Sequence, residues 1–206
     1  VIMLATQSPT EDRPEELAEY DTVAREPLAA TTAGFVLLAV AKPLRGEPVT
    51  WRYDDMHCRP GHEQKMLKSI LDYLRPFDLW IGHNLEYFDF NFLKSRANQL
   101  GIKFDCEPLT YDTMHAFRRV GYLTTRNFKG HPKAGLGHVA DFLCIEQEKT
   151  AIFPREHWRT VWGQGEERKK AMDNLMAHCV SDVVMTEKIY WKLLKVDPVW
   201  GIRRKK

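Results

Sequence analysis

Residues 78–101, DLWIGHNLEYFDFNFLKSRANQLG, predict a strand that runs directly into a helix. The apolar start of this stretch, ending at Gly82, favours a short buried strand. From Asn84 onward, apolar residues recur at helical spacing, at Phe88, Phe92, Leu93, Ala97 and Leu100. Asp89 is therefore expected in the first turn or two of a helix that follows the carboxyl end of a strand, where α/β folds place chemistry. An acidic residue there is also favoured by the helix dipole alone, which is the structural alternative for Asp89.

The other apolar segments predict an α/β fold. Strands are predicted at residues 1–4, 35–41, 49–53, 79–81 and 108–111, and helices after Gly61, after Asn84, at 136–143 and at 166–195. Pro43, Gly46 and Pro48 separate the second strand from the third, which favours an antiparallel hairpin. This order predicts one mixed five-stranded sheet with helices on both faces, formed by residues 1–206 as a single domain.

The composition narrows the class of protein. Of 206 residues, 44% are apolar and 28% charged, with a net charge of +2, so any basic partner surface must be local. We see no signal peptide, and no apolar run approaches the roughly 18 residues of a membrane helix, so no membrane partner and a cytoplasmic location are expected. The cysteines form no CxxC pair, which favours reduced thiols over a zinc site or disulfides. The chain starts at Val1 inside an apolar run, so we expect a piece of a longer protein.

His178 and Asp182 lie four positions apart in the last predicted helix, so both side chains project from one face. An imidazole beside a carboxylate suits a group that activates water next to a metal ligand. The alternative is an ordinary solvent-exposed pair. The apolar neighbours Cys179 and Val183 favour a half-buried face instead.

A basic segment follows the predicted fifth strand. No acidic residue occurs between Asp112 and Asp141, and the segment carries Arg118, Arg119, Arg126, Lys129 and Lys133. Tyr122 and Phe128 are interleaved with these charges. Basic and aromatic residues on a flexible loop suit single-stranded nucleic acid, because charges follow the phosphates and rings stack on bases. A plain solvated loop is the alternative.

Together these segments resemble the DEDD (DnaQ-like) superfamily of 3′–5′ exonucleases, which has a ribonuclease H-like fold. The run from Asn84 to Asp89 is similar to the family's second motif, N-x3-F/Y-D. Residues 134–150, AGLGHVADFLCIEQEKT, look like the segment before the third motif in proofreading domains of family B polymerases and in phage exonucleases. HCVSDVVMTEKIY is similar to the third motif, with Asp182 as its aspartate. The resemblance implies that Asp89 and Asp182 are catalytic metal ligands for two divalent cations, Mg2+ or Mn2+.

The first motif departs from the family. There, the first strand ends in D-x-E, whereas Ala5 and Gln7 occupy the two carboxylate positions here. We hypothesise that the natural sequence reads D-T-E, and that both residues were exchanged to inactivate the site while keeping its shape. A naturally inactive exonuclease is the rival explanation. We expect weak or absent metal binding and negligible turnover, with substrate binding retained.

The resemblance also implies roles for neighbouring residues. The superfamily has either a Tyr four residues or a His five residues before its last Asp, and here His178 stands at the tyrosine-type spacing. His178 would orient or deprotonate the attacking water. Ser8 would contact the 3′ end, and Asn84 and Phe88 would lie near the terminal nucleotides, Phe88 by stacking. Core packing of its helix is the alternative for Phe88.

The sequence thus predicts a metal-dependent 3′–5′ exonuclease that acts on single-stranded or frayed 3′ ends, with DNA favoured over RNA, in a catalytically inactive form. The alternative from another class is a non-catalytic nucleic-acid-binding or scaffolding module. A third is an endonuclease on the same fold. Expected partners are the 3′ end of single-stranded DNA or RNA and a larger polymerase, repair or defence assembly.

Overall fold

Strands and helices alternate in the middle of the chain, between residues 49 and 119. The computed structural model describes residues 2–7, 35–52, 60–120, 133–146, 160–161, 165–196 and 202–204. The elements in chain order are β1 (Ile2–Gln7), β2 (Phe35–Ala41), β3 (Val49–Arg52), α1 (Pro60–Leu74), β4 (Leu79–Gly82), α2 (Asp89–Gln99), β5 (Leu109–Asp112), α3 (Thr113–Arg119), α4 (Leu136–Phe142), α5 (Gly165–Leu194) and β6 (Ile202–Arg204). Within these ranges, no helix combines the length and the apolar character needed to cross a membrane.

The strands form two hydrogen-bonded groups. β2 pairs antiparallel with β1 on one side and with β3 on the other, so the predicted hairpin is confirmed. β4 and β5 run parallel, and β6 joins β5 antiparallel. The two groups adjoin where β1 lies next to β4. The α/β class and the mixed strand directions are confirmed. The described residues form six strands in two groups, whereas the sequence predicts five strands in one sheet.

β2 is buried on both faces. Its described side chains, residues 36–41, are at most 2% exposed. Val36, Ala39 and Ala41 pack in a core with α1 and α2, whereas Leu38 and Val40 pack in a core with α5. A strand covered on both faces needs a continuous apolar run, which is what VLLAVA supplies. The prediction of helices on both faces is therefore confirmed for this strand group.

A bulge explains the one break in the alternation along β2. Ala5 pairs with Leu38 and Thr6 with Val36, so Leu37 is the extra residue. Leu37 packs in the same core as Leu38, toward α5. An extra residue on one strand bends it and resets which face the following side chains occupy.

Three element assignments differ from the sequence predictions. β1 extends to Gln7, so Ala5 and Gln7 lie within a paired strand and not just beyond its end. α3 was not predicted, and the flexible loop predicted from Arg118 onward is wrong for Arg118 and Arg119, which form the last turn of this helix. β6 was not predicted either, because three residues are too few to show a period of two.

Glu63 joins three elements in the first core. It is 6% exposed, accepts a hydrogen bond from the Val36 backbone N–H at 3.0 Å, and accepts another from Arg96 Nε at 2.9 Å. These contacts tie α1 to both β2 and α2. A buried carboxylate is tolerated there because its oxygens are paired and hydrogen-bonded.

Candidate active site

The loop between β4 and α2 is held by the carboxylate of Asp112. β4 and β5 are in register with Gly82 opposite Asp112, so this carboxylate lies beside the start of the loop. Oδ1 accepts a hydrogen bond from the Asn84 N–H at 3.0 Å, and Oδ2 accepts one from the Glu86 N–H at 3.1 Å. Asn84 has a φ of 65°, a left-handed conformation that Asn tolerates better than most residues. Asp112 thus holds the loop between β4 and α2, which carries the second motif, through backbone N–H groups of the loop.

The same carboxylate begins α3. Oδ1 of Asp112 also accepts from the Met114 N–H at 3.0 Å and the His115 N–H at 3.3 Å, which is an N-cap. Asp112 is 1% exposed and has four backbone N–H donors around it. Its role is to position the loop and the helix. Sequence reasoning noted Asp112 only at a strand end, although an Asp directly before Thr113 is a recognisable cap signal.

Gly82 lets the loop fold back over the end of β4. A Cβ built at Gly82 would lie 2.7 Å from the Cβ of Leu85, whose side chain is fully buried. The chain then turns, with the Phe88 N–H donating to the Asn84 carbonyl oxygen at 3.0 Å. This tight return brings the next residue, Asp89, to the first position of α2.

His83 connects this loop to the segment before α4. Its Nε2–H donates to the Ala134 carbonyl oxygen at 2.7 Å, and its Nδ1 lies 2.9 Å from the Thr113 hydroxyl. Burial lowers the pKa of His83, which favours a neutral ring. His83, directly before the second motif, therefore has a structural role.

The negative charges of Asp89 and Asp182 both act on the buried thiol of Cys179. Asp89 is 5% exposed at the start of α2, and Asp182 projects from α5 with a side chain that is 15% exposed. Burial raises the pKa of the Cys179 thiol to about 12, with further contributions from the negative charges of Asp182 and Asp89. Both carboxylates are thus close enough to act on one buried thiol, although they lie 93 positions apart in the sequence (182 minus 89).

His178 lies beside Asp182 on α5. Its Nε2 is 3.5 Å from Oδ2 of Asp182, and its side chain is 34% exposed. Burial raises the pKa of Asp182, and the nearby His178 partly counteracts this. Nδ1 of His178 is buried and has no hydrogen-bond partner among the residues that the structure describes. The pair therefore sits on a half-buried face.

β1 runs along the two helices that carry these aspartates. It lies against both α2 and α5, and the backbones of Ala5 and Gln7 pair with Leu38 and Phe35 of β2. Neither Ala5 nor Gln7 offers a carboxylate. Across the described ranges, no group of three or more His, Cys, Asp or Glu side chains is arranged to hold a metal ion. The residues present therefore do not fit a two-cation site.

The residues predicted to contact nucleic acid differ in how far they are buried. Phe88 is half-buried and stacks on Phe92, with ring centroids 6.1 Å apart, so part of its ring is used in packing. Arg118 and Arg119 are exposed on α3. Asn84 is half-buried in the loop that Asp112 holds. Ser8, Arg126 and Lys129 lie outside the described residues.

Two comparisons with known proteins agree with this architecture. A family model described as RNase_H superfamily matches residues 26–194. Among solved structures, a family B DNA polymerase from the hyperthermophilic archaeon Pyrobaculum calidifontis is similar, with a TM-score of 0.60 and 18% identity. The match covers 83% of this chain and 22% of the polymerase, so the chain spans about a fifth of that protein. No curated relative matches the sequence significantly.

The role of Asp112 can be tested with Asp112→Asn. The amide turns one acceptor oxygen into a donor that faces backbone N–H groups, so we expect about 2 kcal/mol of lost unfolding free energy. Hydrogen exchange by NMR should show the protection of the Asn84 and Glu86 amides falling roughly tenfold. Asp105→Asn, at a more exposed carboxylate, is the matched control and should leave both amides protected. Unchanged protection in Asp112→Asn would mean that the loop keeps its shape without the carboxylate.

Asp182 should cost stability at neutral pH. Because burial raises its folded-state pKa above the ordinary value of 3.8, folding favours the protonated form. The penalty is absent below the unfolded pKa and grows as pH rises through the folded pKa. Asp182→Asn should therefore raise the urea midpoint at pH 7, measured in EDTA, and this gain should vanish below about pH 4.

Glu187, on the same helix, should have the opposite effect and stabilise the fold at neutral pH. Burial alone would raise its pKa, but hydrogen bonds from Lys42, the Arg45 N–H and Trp191 lower it overall. Its stabilisation is present above the unfolded pKa and is lost as pH falls through the folded pKa. Glu187→Gln should thus lower the urea midpoint at pH 7 and have less effect at low pH. Shifts of the same sign for Asp182→Asn and Glu187→Gln would contradict this electrostatic account.

Proposed function

The chain belongs to the RNase H superfamily, and we propose that it is a 3′–5′ exonuclease domain of the DEDD type in a catalytically inactive form. In the active form, the domain would hydrolyse the terminal phosphodiester at a single-stranded or frayed 3′ end and release a nucleoside monophosphate. DNA is the favoured substrate. The superfamily supports a nuclease-type fold, and the finer activity is inferred from the site.

One observation carries this proposal. The negative charges of Asp89 and Asp182 add to burial in raising the pKa of the Cys179 thiol, and β1, with Ala5 and Gln7, lies against both of the helices that carry them. This supports the proposal that the second and third motifs contribute two carboxylates to one site, beside the strand where the first motif would contribute two more. A structural explanation for Asp89 alone does not account for this convergence.

Charge balance explains why Ala5 and Gln7 matter. Two divalent ions about 4 Å apart supply nucleophile activation and stabilisation of the leaving oxygen in phosphodiester hydrolysis. They also repel each other by on the order of 15 kcal/mol at an effective dielectric near 20. Four carboxylates and a phosphate offset that repulsion, whereas Asp89 and Asp182 provide half of the protein charge. We infer that this chain binds Mg2+ or Mn2+ weakly and turns over negligibly.

His178 is the proposed water-orienting group. Its Nε2 faces Asp182, so the imidazole is held beside a proposed ligand, and its half-exposed side chain remains accessible to substrate. Burial raises the pKa of Asp182, and His178 partly counteracts this, because a positive charge on His178 would favour the ionised aspartate. In an active form, His178 would orient or deprotonate the attacking water.

A second candidate function is a naturally inactive module that binds nucleic acid or acts as a scaffold. The observation in its favour is that Ala5 and Gln7 lack carboxylates within a strand that pairs with β2 on both sides of the bulge. A third candidate, an endonuclease on the same fold, would not need a free 3′ end. The chain spans 22% of the similar polymerase, so we propose that residues 1–206 form one domain that works within a larger polymerase, repair or defence assembly.

Restoring the first motif is the direct test. Ala5→Asp combined with Gln7→Glu should produce Mg2+- or Mn2+-dependent release of mononucleotides from the 3′ end of a 5′-labelled single-stranded oligonucleotide. The gain over the chain as written should be roughly a thousandfold, because charge stabilisation by the ions is worth several kcal/mol. Product ladders resolved on a gel report both the rate and the direction of cleavage.

Three controls separate the alternatives. Adding Asp182→Asn to the restored protein should abolish the activity, and a 3′-phosphate should block it unless the enzyme is an endonuclease. A restored protein that binds DNA but stays inactive would favour the non-catalytic module. Calorimetry that shows tight binding of two Mn2+ ions to the chain as written would contradict the charge argument.

The role of His178 is tested in the restored protein. His178→Ala should lower kcat about a hundredfold and change KM little, because a positioned general base contributes at least that much. The acidic limb of the pH–rate profile should change with it. His62→Ala, at an exposed histidine of α1, is the control. A small loss of rate in His178→Ala would assign the water-orienting role elsewhere.

A further inference from the structure

Tyr87 exposes its ring next to the candidate site. Its side chain is 66% exposed, more than any other large hydrophobic residue in the described part of the chain. The ring meets His115 of α3 edge to face, with centroids 5.1 Å apart and planes at 84°. Tyr87 is also two positions before Asp89. A supported aromatic ring that faces solvent leaves a flat apolar surface available for stacking.

The loop under this ring is rigid. Asp112 holds the backbone on the amino-terminal side of Tyr87 through the N–H groups of Asn84 and Glu86. On the other side, the Tyr87 carbonyl oxygen accepts a hydrogen bond from Asn91 Nδ2 at 3.3 Å. The ring is therefore presented in a fixed place, so little ordering entropy is lost when a ligand stacks on it.

The charges near this ring favour a polyanion. Arg118 is exposed on α3 three positions after His115, which places both on one helix face. Burial lowers the pKa of His83, at the start of this loop, and the positive charge of Arg118 acts in the same direction. Two acids, Glu86 and Asp112, lie beside His115, and both are turned inward. Oε1 of Glu86 accepts from the Thr110 hydroxyl at 3.0 Å, and the side chains of Glu86 and Asp112 are 11% and 1% exposed.

We propose that Tyr87 is a stacking platform for a base of single-stranded nucleic acid, and that Arg118 contacts a phosphate of the same strand. This inference rests on the proposed function, because the strand whose 3′ end reaches Asp89 would pass over the Tyr87 ring. Every base has a π-face, so such a platform binds without sequence preference. Arginine suits the phosphate because its planar fork matches two phosphate oxygens.

The platform is tested by measuring the Kd of the chain as written for a dT12 oligonucleotide with a 5′-fluorescein and a free 3′-OH, using fluorescence anisotropy. Tyr87→Ala should weaken binding about 5-fold to 150-fold, which is the range for loss of one stacked base. Tyr87→Phe keeps the ring and should bind as the parent does. Phe77→Ala is the matched control, because Phe77 is an exposed aromatic residue before β4, whereas Tyr87 follows β4; its binding should be unchanged.

Oligonucleotides with one abasic position identify the stacked base without any change to the protein. In the parent chain, one position near the 3′ end should weaken binding as much as Tyr87→Ala does, and the variant should be insensitive at that position. Equal losses at every position would overturn the platform. This measurement also keeps the proposal falsifiable if Tyr87→Ala proves unstable in thermal unfolding.

The phosphate contact has a separate readout. Arg118→Gln should reduce the slope of log Kd against log salt by about one and weaken dT12 and dA12 equally. An unchanged slope would remove Arg118 from the proposal.

These outcomes distinguish failure of the Tyr87 platform from failure of the proposed function. If the parent binds dT12 and Tyr87→Ala binds with the same Kd, the platform is wrong and the exonuclease-type function stands. If the parent does not bind dT12 at all, the proposed function fails and the platform fails with it. If Tyr87→Phe weakens binding as much as Tyr87→Ala does, the hydroxyl makes the contact and the ring does not stack. This outcome would also overturn the platform.

Discussion

The carboxylate of Asp112 is the contact on which the candidate site depends. It is buried at the carboxyl end of β5 and accepts hydrogen bonds from four backbone N–H groups, two in the loop after β4 and two in the first turn of α3. Charge-assisted bonds of this kind are about twice as strong as neutral ones, and a buried carboxylate without them would be costly. The position of Asp89 at the start of α2 and the presentation of Tyr87 both follow from the loop that this carboxylate holds.

The long helix α5 carries two carboxylates, Glu187 and Asp182, with opposite effects on stability at neutral pH. Near its carboxyl end, Glu187 pairs with Lys42 and accepts from the Arg45 N–H at 2.7 Å, which anchors the β2–β3 hairpin to the helix. One and a half turns earlier, Asp182 is half-buried with only His178 to offset the loss of solvation. A carboxylate whose pKa is raised by burial gives nothing to the fold at neutral pH.

Membership in the RNase H superfamily and the similarity to an archaeal family B DNA polymerase agree on the fold, and the local chemistry then narrows the function. β1 passes beside both helices that carry the aspartates, but it brings Ala5 and Gln7 to them. The proposed four-carboxylate site would therefore keep Asp89 and Asp182 and lack the carboxylates at positions 5 and 7. Under the proposed function, these two side chains separate a domain that cuts a 3′ end from one that only holds it.

Sequence periodicity predicted the main elements and the helices that carry both aspartates. The apolar run at residues 35–41 predicted a strand, and apolar spacing predicted α2 and α5 with Asp89 and Asp182 on them, because these patterns are local. Tertiary structure decided the rest. Asp112 acts on a loop 26 and 28 residues before it, α3 is a seven-residue helix that needs this cap, and β6 forms only against β5. Only packing shows that Phe88 lies partly against Phe92 while Tyr87 faces solvent. Each of these outcomes depends on contacts between segments distant in the chain, and such contacts leave no period in a local stretch of sequence.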